Sequence, residues 1–138
     1  MRLINKLAGA GLLVCALPAM AHELVVNVGN IASTDGHLLV AVYNQQTHYD
    51  NNSQRVAVQK VKMTGDSMRV VLGDLPAGEY AVKLFQDEND NGSIDMNAMG
   101  IPTEPYGFSN NGGMFGPPSF DDAKIQLNQP TEIEIQLR

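Results

Sequence analysis

The residues Asp87-Glu88-Asn89-Asp90-Asn91-Gly92-Ser93-Ile94-Asp95 carry oxygen side chains at alternate positions and then a glycine. That is the spacing of a loop that wraps a hard cation. Counted from Asp87, the side chains of Asp87, Asn89, Asn91 and Asp95 fall at positions one, three, five and nine, and Ser93 brings its backbone carbonyl at seven. Gly92 at six permits the sharp turn, and Ile94 at eight is expected to anchor the loop to the core. Hard oxygens on a flexible backbone, with no His or Cys among them, suit calcium. Position twelve is Ala98, where a helix-flanked loop of this kind has a glutamate, and no helical pattern flanks the run. The expectation is therefore the loop alone on a β-scaffold, with an affinity on the order of 10⁻⁴ to 10⁻³ M. Glu104, Asp121 and Asp122 are the candidates for a further carboxylate. The plainer reading is an Asx-Gly turn with solvated acids.

Other chemistry is sparse. His22, His37 and His48 stand in separate segments with no Ser- or Cys-centred motif around them, so no catalytic constellation is recognised and the expectation is a non-enzyme. An alternative is a copper protein. Cleavage after Ala21 exposes a free amine on His22, which chelates copper(II) together with His37 or His48, and Met96, Met99 and Met114 offer thioethers for copper(I).

The chain has 138 residues, the length of one domain. Residues 1–21 have the layout of a secretory signal: Arg2 and Lys6, an apolar run from Leu7 to Leu17, then Ala19-Met20-Ala21. Residues 22–138 are the expected mature domain, periplasmic or secreted. Cys15 is the single cysteine and lies inside the apolar run behind Val14, which argues against a lipid anchor and leaves the mature chain without disulfide or zinc-thiolate chemistry. Removing the segment takes away two cations, leaving seven against fifteen acids, a formal −8 in place of −6. Such a surface argues against nucleic acid and anionic lipid as partners, and no second apolar run approaches membrane-spanning length. A monomer with an unidentified ligand or protein partner is expected.

Positioning the loop is the task of strands. Runs at Glu23–Val28, His37–Tyr43, Arg55–Met63, Met68–Leu72, Tyr80–Phe85, Ala123–Leu127 and Thr131–Leu137 are β-prone, and turn residues separate them. Asn44–Gln54 reads as loop, Gln59-Lys60 as a bulge, and Thr64-Gly65-Asp66-Ser67 as the turn of a hairpin. About seven short strands and no helical period give an all-β chain, a single antiparallel β-sandwich. Its core comes from alternating Val, Leu and Ile with Tyr and Phe, since there is no Trp. Leu75-Pro76-Ala77-Gly78-Glu79-Tyr80 followed by alternating apolar residues resembles a strand opening of transthyretin-like and immunoglobulin-like sandwiches, although none of the catalytic tail of transthyretin-like hydrolases is found in the closing EIQLR.

The segment from Met96 to Phe120 is rich in Gly, Pro and Asn yet holds Tyr106, Phe108, Phe115 and Phe120, a composition of a cover or a binding surface rather than of disorder. The runs FQDENDNGSIDMNAMGIPTEPYGFSNN and FGPPSFDDA, with LPAGEYAVKLFQDEN before them, resemble the bacterial domain-of-unknown-function family numbered 2141. That family often has His-Asp where this chain has Gln86-Asp87. The resemblance implies an exported protein in which the cation loop and the Gly-Phe-Ser-Asn segment act as one unit, and it supplies no reaction.

Overall fold

The computed structural model describes Gly9, Gly11 and residues 20–138, so nearly all of the expected signal segment, Cys15 included, lies outside the described residues. Alternation of apolar and polar side chains dictates strands through most of the rest. They are β1 (Ala21–Gly29), β2 (His37–Tyr43), β3 (Ala57–Lys62), β4 (Met68–Pro76), β5 (Gly78–Asp87), β6 (Tyr106–Phe108), β7 (Ile125–Leu127) and β8 (Thr131–Gln136). Two short helices, α1 (Gln46–Asn51) and α2 (Phe120–Ala123), and a 3₁₀ turn at Ser109–Asn111 complete the elements. The chain is mostly β, with eight described strands where seven are expected; the addition is β6, three residues inside the segment that reads as irregular.

The strands form two sheets. One has the order β4-β1-β8; the other has the order β3-β2-β5-β6, with β7 also pairing β5. Leu24, Val26, Val28, Val70, Leu72 and Ile135 of the first sheet meet Leu38, Val40, Val42, Val82 and Leu84 of the second in one buried core. Pairing is antiparallel except between β1 and β8, which run parallel with Val26 opposite Ile133. The strand opening at Pro76–Tyr80 behaves as its residues suggest. Gly78 begins β5, and the Tyr80 hydroxyl donates to the Pro76 carbonyl at 2.6 Å, fastening the turn between the sheets.

Three local expectations are corrected. The Thr64–Ser67 turn does not make a hairpin: β3 pairs β2 in one sheet and β4 pairs β1 in the other, so the turn arches over the edge of the core. Alternation alone satisfies either arrangement, because each strand needs only one apolar face. No bulge interrupts β3, whose register with β2 is continuous; the irregularity falls between Leu24 and Val25, opposite Gly73 at φ +93°. Asn44–Gln54 is not all loop. Its middle forms α1, whose Tyr49 is buried while Gln46, Thr47, Asp50 and Asn51 face water.

The outer face of the larger sheet carries a second apolar cluster of Tyr43, Tyr49, Ala81, Phe108, Phe120 and Ala123, capped by α1 and α2. Tyr49 stands edge-on to both Tyr43 and Phe120, with ring centroids 5.8 and 5.9 Å away. This cluster covers one end of the face and leaves the other to the long segment after β5.

Candidate functional site: a cation-type loop beside an apolar groove

Strand β5 ends at Asp87, and the chain returns to pair with β5 itself as β6, so residues 88–105 are an excursion between two neighbouring strands. Its mouth is closed by the Gln86 N–H donating to the Pro105 carbonyl at 2.8 Å. Asp87 is fully buried at that mouth. Its Oδ1 accepts the Asn91 N–H at 3.2 Å and its Oδ2 the Gly92 N–H at 2.7 Å, which curls the chain back over the carboxylate. Asp90 at φ 54° and Gly92 at φ +81° adopt the left-handed conformations that this tight curl requires.

Asp95 gathers the remaining side chains. Its Oδ2 accepts from the Asn89 carboxamide at 2.5 Å and its Oδ1 from that of Asn91 at 2.7 Å. The oxygens of Asn89 and Asn91 accept the N–H groups of Asn91 and Ser93 in turn. Asp87, Asn89, Asn91 and Asp95 thus converge, and Ser93 sits on the same curl. Both carboxamides turn their N–H groups to Asp95; a cation would call for their oxygens, a rotation about the last side-chain torsion. Two of these four converging side chains are carboxylates, Asp87 and Asp95. Among the described residues no group of three or more His, Cys, Asp or Glu is placed to hold a metal ion, so a cation in this loop would also take Asn oxygens and a backbone carbonyl.

Beyond Asp95 the chain doubles back. The Asn97 N–H donates to Ile101 and the Thr103 N–H to Asp95, and this returns Glu104 to the loop. Glu104 is 5% exposed, and its two oxygens accept the N–H groups of Asp95 at 2.8 Å and Glu88 at 2.7 Å. Of the three candidate carboxylates, Glu104 is the one brought to the loop, where it acts as a clasp. Asp121 pairs with Lys124, which also meets Glu79 at the first turn of β5, and Asp122 sits next to it. That end of the sheet is roughly 25 Å from Asp87 at ~3.3 Å per strand residue. Ala98 is exposed in the turn at Asn97–Gly100.

Ile94 does not join the core. It is half-buried and faces a groove of about 810 Å³ on the outer face of the larger sheet. The strand registers explain this floor: Val58, Ala41, Lys83 and Phe108 lie in one row across β3, β2, β5 and β6, and Leu39, Phe85 and Tyr106 in the next. Ile94, Met96, Ile101, Met114 and Phe115 of the long segment form the wall. Met114 is 74% and Phe115 97% exposed. Of the aromatics expected to form a cover or a binding surface, Phe108 is buried and Tyr106 half-buried, their rings edge-on at 5.9 Å. The trace of this groove in the sequence is faint: β2 is apolar at nearly every position, and with Phe85 of β5 this puts Leu39 and Ala41 on the side that normally meets water.

The histidines are scattered. His37 begins β2 beside the loop, its Nδ1 2.6 Å from Asp90 Oδ1, a pairing that the sequence reading lacks. His22 is in register with Leu75, close to the start of β5, whereas His37 is in register with Asp87 at its end, so these two face opposite ends of the sheets. His48 lies on α1 with a buried Nδ1 that has no partner among the described residues. The Gly-Phe-Ser-Asn segment serves the sheets more than the loop. Ser109 Oγ accepts the Val82 N–H and donates to the Ala123 carbonyl, Asn110 donates to the Asp122 and Lys124 carbonyls, and Asn111 grips Glu134 and Gln136 of β8.

No curated protein and no solved structure matches the chain. A family model described as an uncharacterised protein conserved in bacteria, DUF2141, matches residues 26–135, a span that holds the core of both sheets, the loop and the groove. On this match the chain belongs to the DUF2141 family.

Proposed function

We propose that the protein is an exported, non-enzymatic binding module. Residues 1–21 are its signal segment, and the periplasm or the exterior is where it acts. The two sheets around one core are of the immunoglobulin-like or transthyretin-like sandwich type. Calcium occupies the loop at Asp87, Asn89, Asn91, Ser93 and Asp95 and holds one wall of the groove in place. The carrying observation is one of continuity: Gly92, Ser93 and Ile94 belong to the cation-type loop and line the groove as well. A cation that stiffens the loop therefore stiffens the surface that a ligand or partner meets.

The ion is structural in this reading. Asp87 and Asp95 supply its two charges, and Glu104, with both oxygens on backbone N–H groups, keeps the loop closed around them. A site with two carboxylates belongs to the weak extracellular class, with dissociation constants on the order of 10⁻⁴ to 10⁻³ M. In ~10 mM calcium it adds about 2 kcal/mol to stability, which raises the melting temperature by roughly 6 °C. Thermal melts with calcium and with chelator are the test. Equal melts in the two conditions, or a calcium shift that survives Asp87→Ala, would remove the ion from the loop.

A further inference from the structure

We propose that the groove on the outer face of the larger sheet binds an amphiphile with a single carboxylate head and an unbranched apolar tail, the head lying on Lys83 and Arg55. This rests on the binding-module reading above and names the ligand class.

The groove's volume of about 810 Å³ is ample for one such molecule, small-molecule sites running from about 300 to 1,000 Å³. Its charge is the distinctive property. The chain has fifteen acidic and nine basic side chains, yet no acidic residue lines the groove, and its two ionic residues are Lys83 and Arg55. The face therefore selects against cations and favours an anion.

Lys83 is placed to receive that anion. Its Nζ donates to the Tyr49 carbonyl at 2.5 Å and to Asn52 Oδ1 at 3.0 Å, both neutral acceptors, and lies 4.0 Å from the centre of the Tyr49 ring. No carboxylate lies within ion-pairing distance of it among the described residues. An ammonium has three N–H groups, so one is free of these acceptors. Burial holds its pKa below the ordinary lysine value, with Asp50 partly opposing, as befits a desolvated cation lacking a contact counterion. Arg55 completes the head site: it lines the same groove as Lys83, Asn52 and Tyr43, and the Tyr43 ring is 5.4 Å from Lys83 Nζ.

The tail follows from the rows of the sheet. Ala41, the smallest side chain of its row, leaves a dip between Val58 and Lys83, and Leu39 and Phe85 extend the apolar floor away from the cations. Phe115 and Met114, standing in water, are the side chains free to fold down onto a tail. One polar end and one long apolar floor match a linear amphiphile better than a compact polar ligand.

The test is a titration of the purified full chain with the neutral naphthylamine dye N-phenyl-1-naphthylamine, followed by displacement with dodecanoate, dodecan-1-ol and dodecyltrimethylammonium. Dodecanoate is expected to displace the dye at concentrations about tenfold or more below those of the alcohol, the worth of a charge-assisted hydrogen bond, and the cation to be the weakest. Arg55→Gln and Lys83→Met should each remove that preference while dodecan-1-ol and the dye bind as before. Arg55 is exposed, so its variant reads the head site even where Lys83→Met folds poorly. Equal affinities for dodecanoate and dodecan-1-ol, or a carboxylate preference unchanged in Arg55→Gln, would overturn the carboxylate assignment and leave the groove as a binding site. Absence of any dye binding would overturn the groove itself.

Discussion

The carboxylate of Glu104 binds the backbone N–H of Glu88 on one side and of Asp95 on the other, so one buried side chain spans the loop that Asp87 opens. Among the described residues no Lys, Arg or His forms an ion pair with Glu104, and two oriented backbone donors offset its charge. Glu104→Ala is expected to leave both N–H groups unpaired and to cost about 3 kcal/mol, seen as a melting temperature lower by roughly 10 °C. Glu104→Gln, which keeps one acceptor oxygen, should cost about half as much. Hydrogen exchange supplies the local check, with the Glu88 and Asp95 amides losing protection first.

Gly36 presses on the same loop from the other side. A Cβ there would stand 1.8 Å from the Asp87 carbonyl oxygen, and its φ of +70° disfavours any side chain. Gly36→Ala is expected to cost about 4 kcal/mol, overpacking and left-handed strain together. Gly73→Ala has φ +93° but open space around the new Cβ, so it isolates the strain alone at about 1 kcal/mol. Chemical denaturation of the pair measures the steric share; equal losses would show that the Asp87 backbone yields.

Ser109 is fully buried between β5 and α2. Ser109→Ala strands the Val82 N–H and the Ala123 carbonyl, and about 2 kcal/mol of lost stability is expected. Because the segment grips the sheets, the calcium shift in melting temperature should persist in this variant. Its disappearance would tie the segment to the cation loop after all.

The tyrosines set an alkaline limit. Burial pushes the phenol of Tyr49 well above its ordinary value of 10.0, with Asp50 adding to the effect, and burial raises Tyr43 and Tyr80 as well. A group whose folded pKa exceeds its unfolded one contributes stability that is complete below the unfolded value and is lost as pH rises beyond it. Lys83, lowered by burial, has the opposite sign: stability recovers as pH climbs from its folded value toward 10.5. The phenols outnumber it, so the melting temperature should fall above pH 10, with phenolate absorbance from these three tyrosines appearing as the fold is lost. Tyr49→Phe should flatten that fall. Full phenolate absorbance from a still-folded protein would show the rings to be accessible.

How far the sequence leads depends on the range of the interaction. Strand β2 is legible from its continuous β-prone apolar run and β5 from its alternation, and the Asp87–Asp95 curl because its donors and acceptors lie within nine positions. The arch between β3 and β4 is illegible, since hairpin and arch bury the same faces of Val61 and Val70. Glu104 is visible as a candidate but not separable from Asp121 until the turn at Asn97–Gly100 folds it back. The groove is hidden for another reason: Leu39, Ala41 and Phe85 read as ordinary strand residues until the registers put them on the side away from the core.

The parallel pairing of β1 with β8 has a kinetic consequence. Val26 and Ile133 stand far apart along the chain, so the three-stranded sheet is completed only after β8 has been made. Contacts so distant along the chain slow folding, and until they form, the apolar side chains of β1 remain open to whatever handles the nascent polypeptide. The order of the strands thus leaves the smaller sheet as the part of the fold that closes last, waiting on β8.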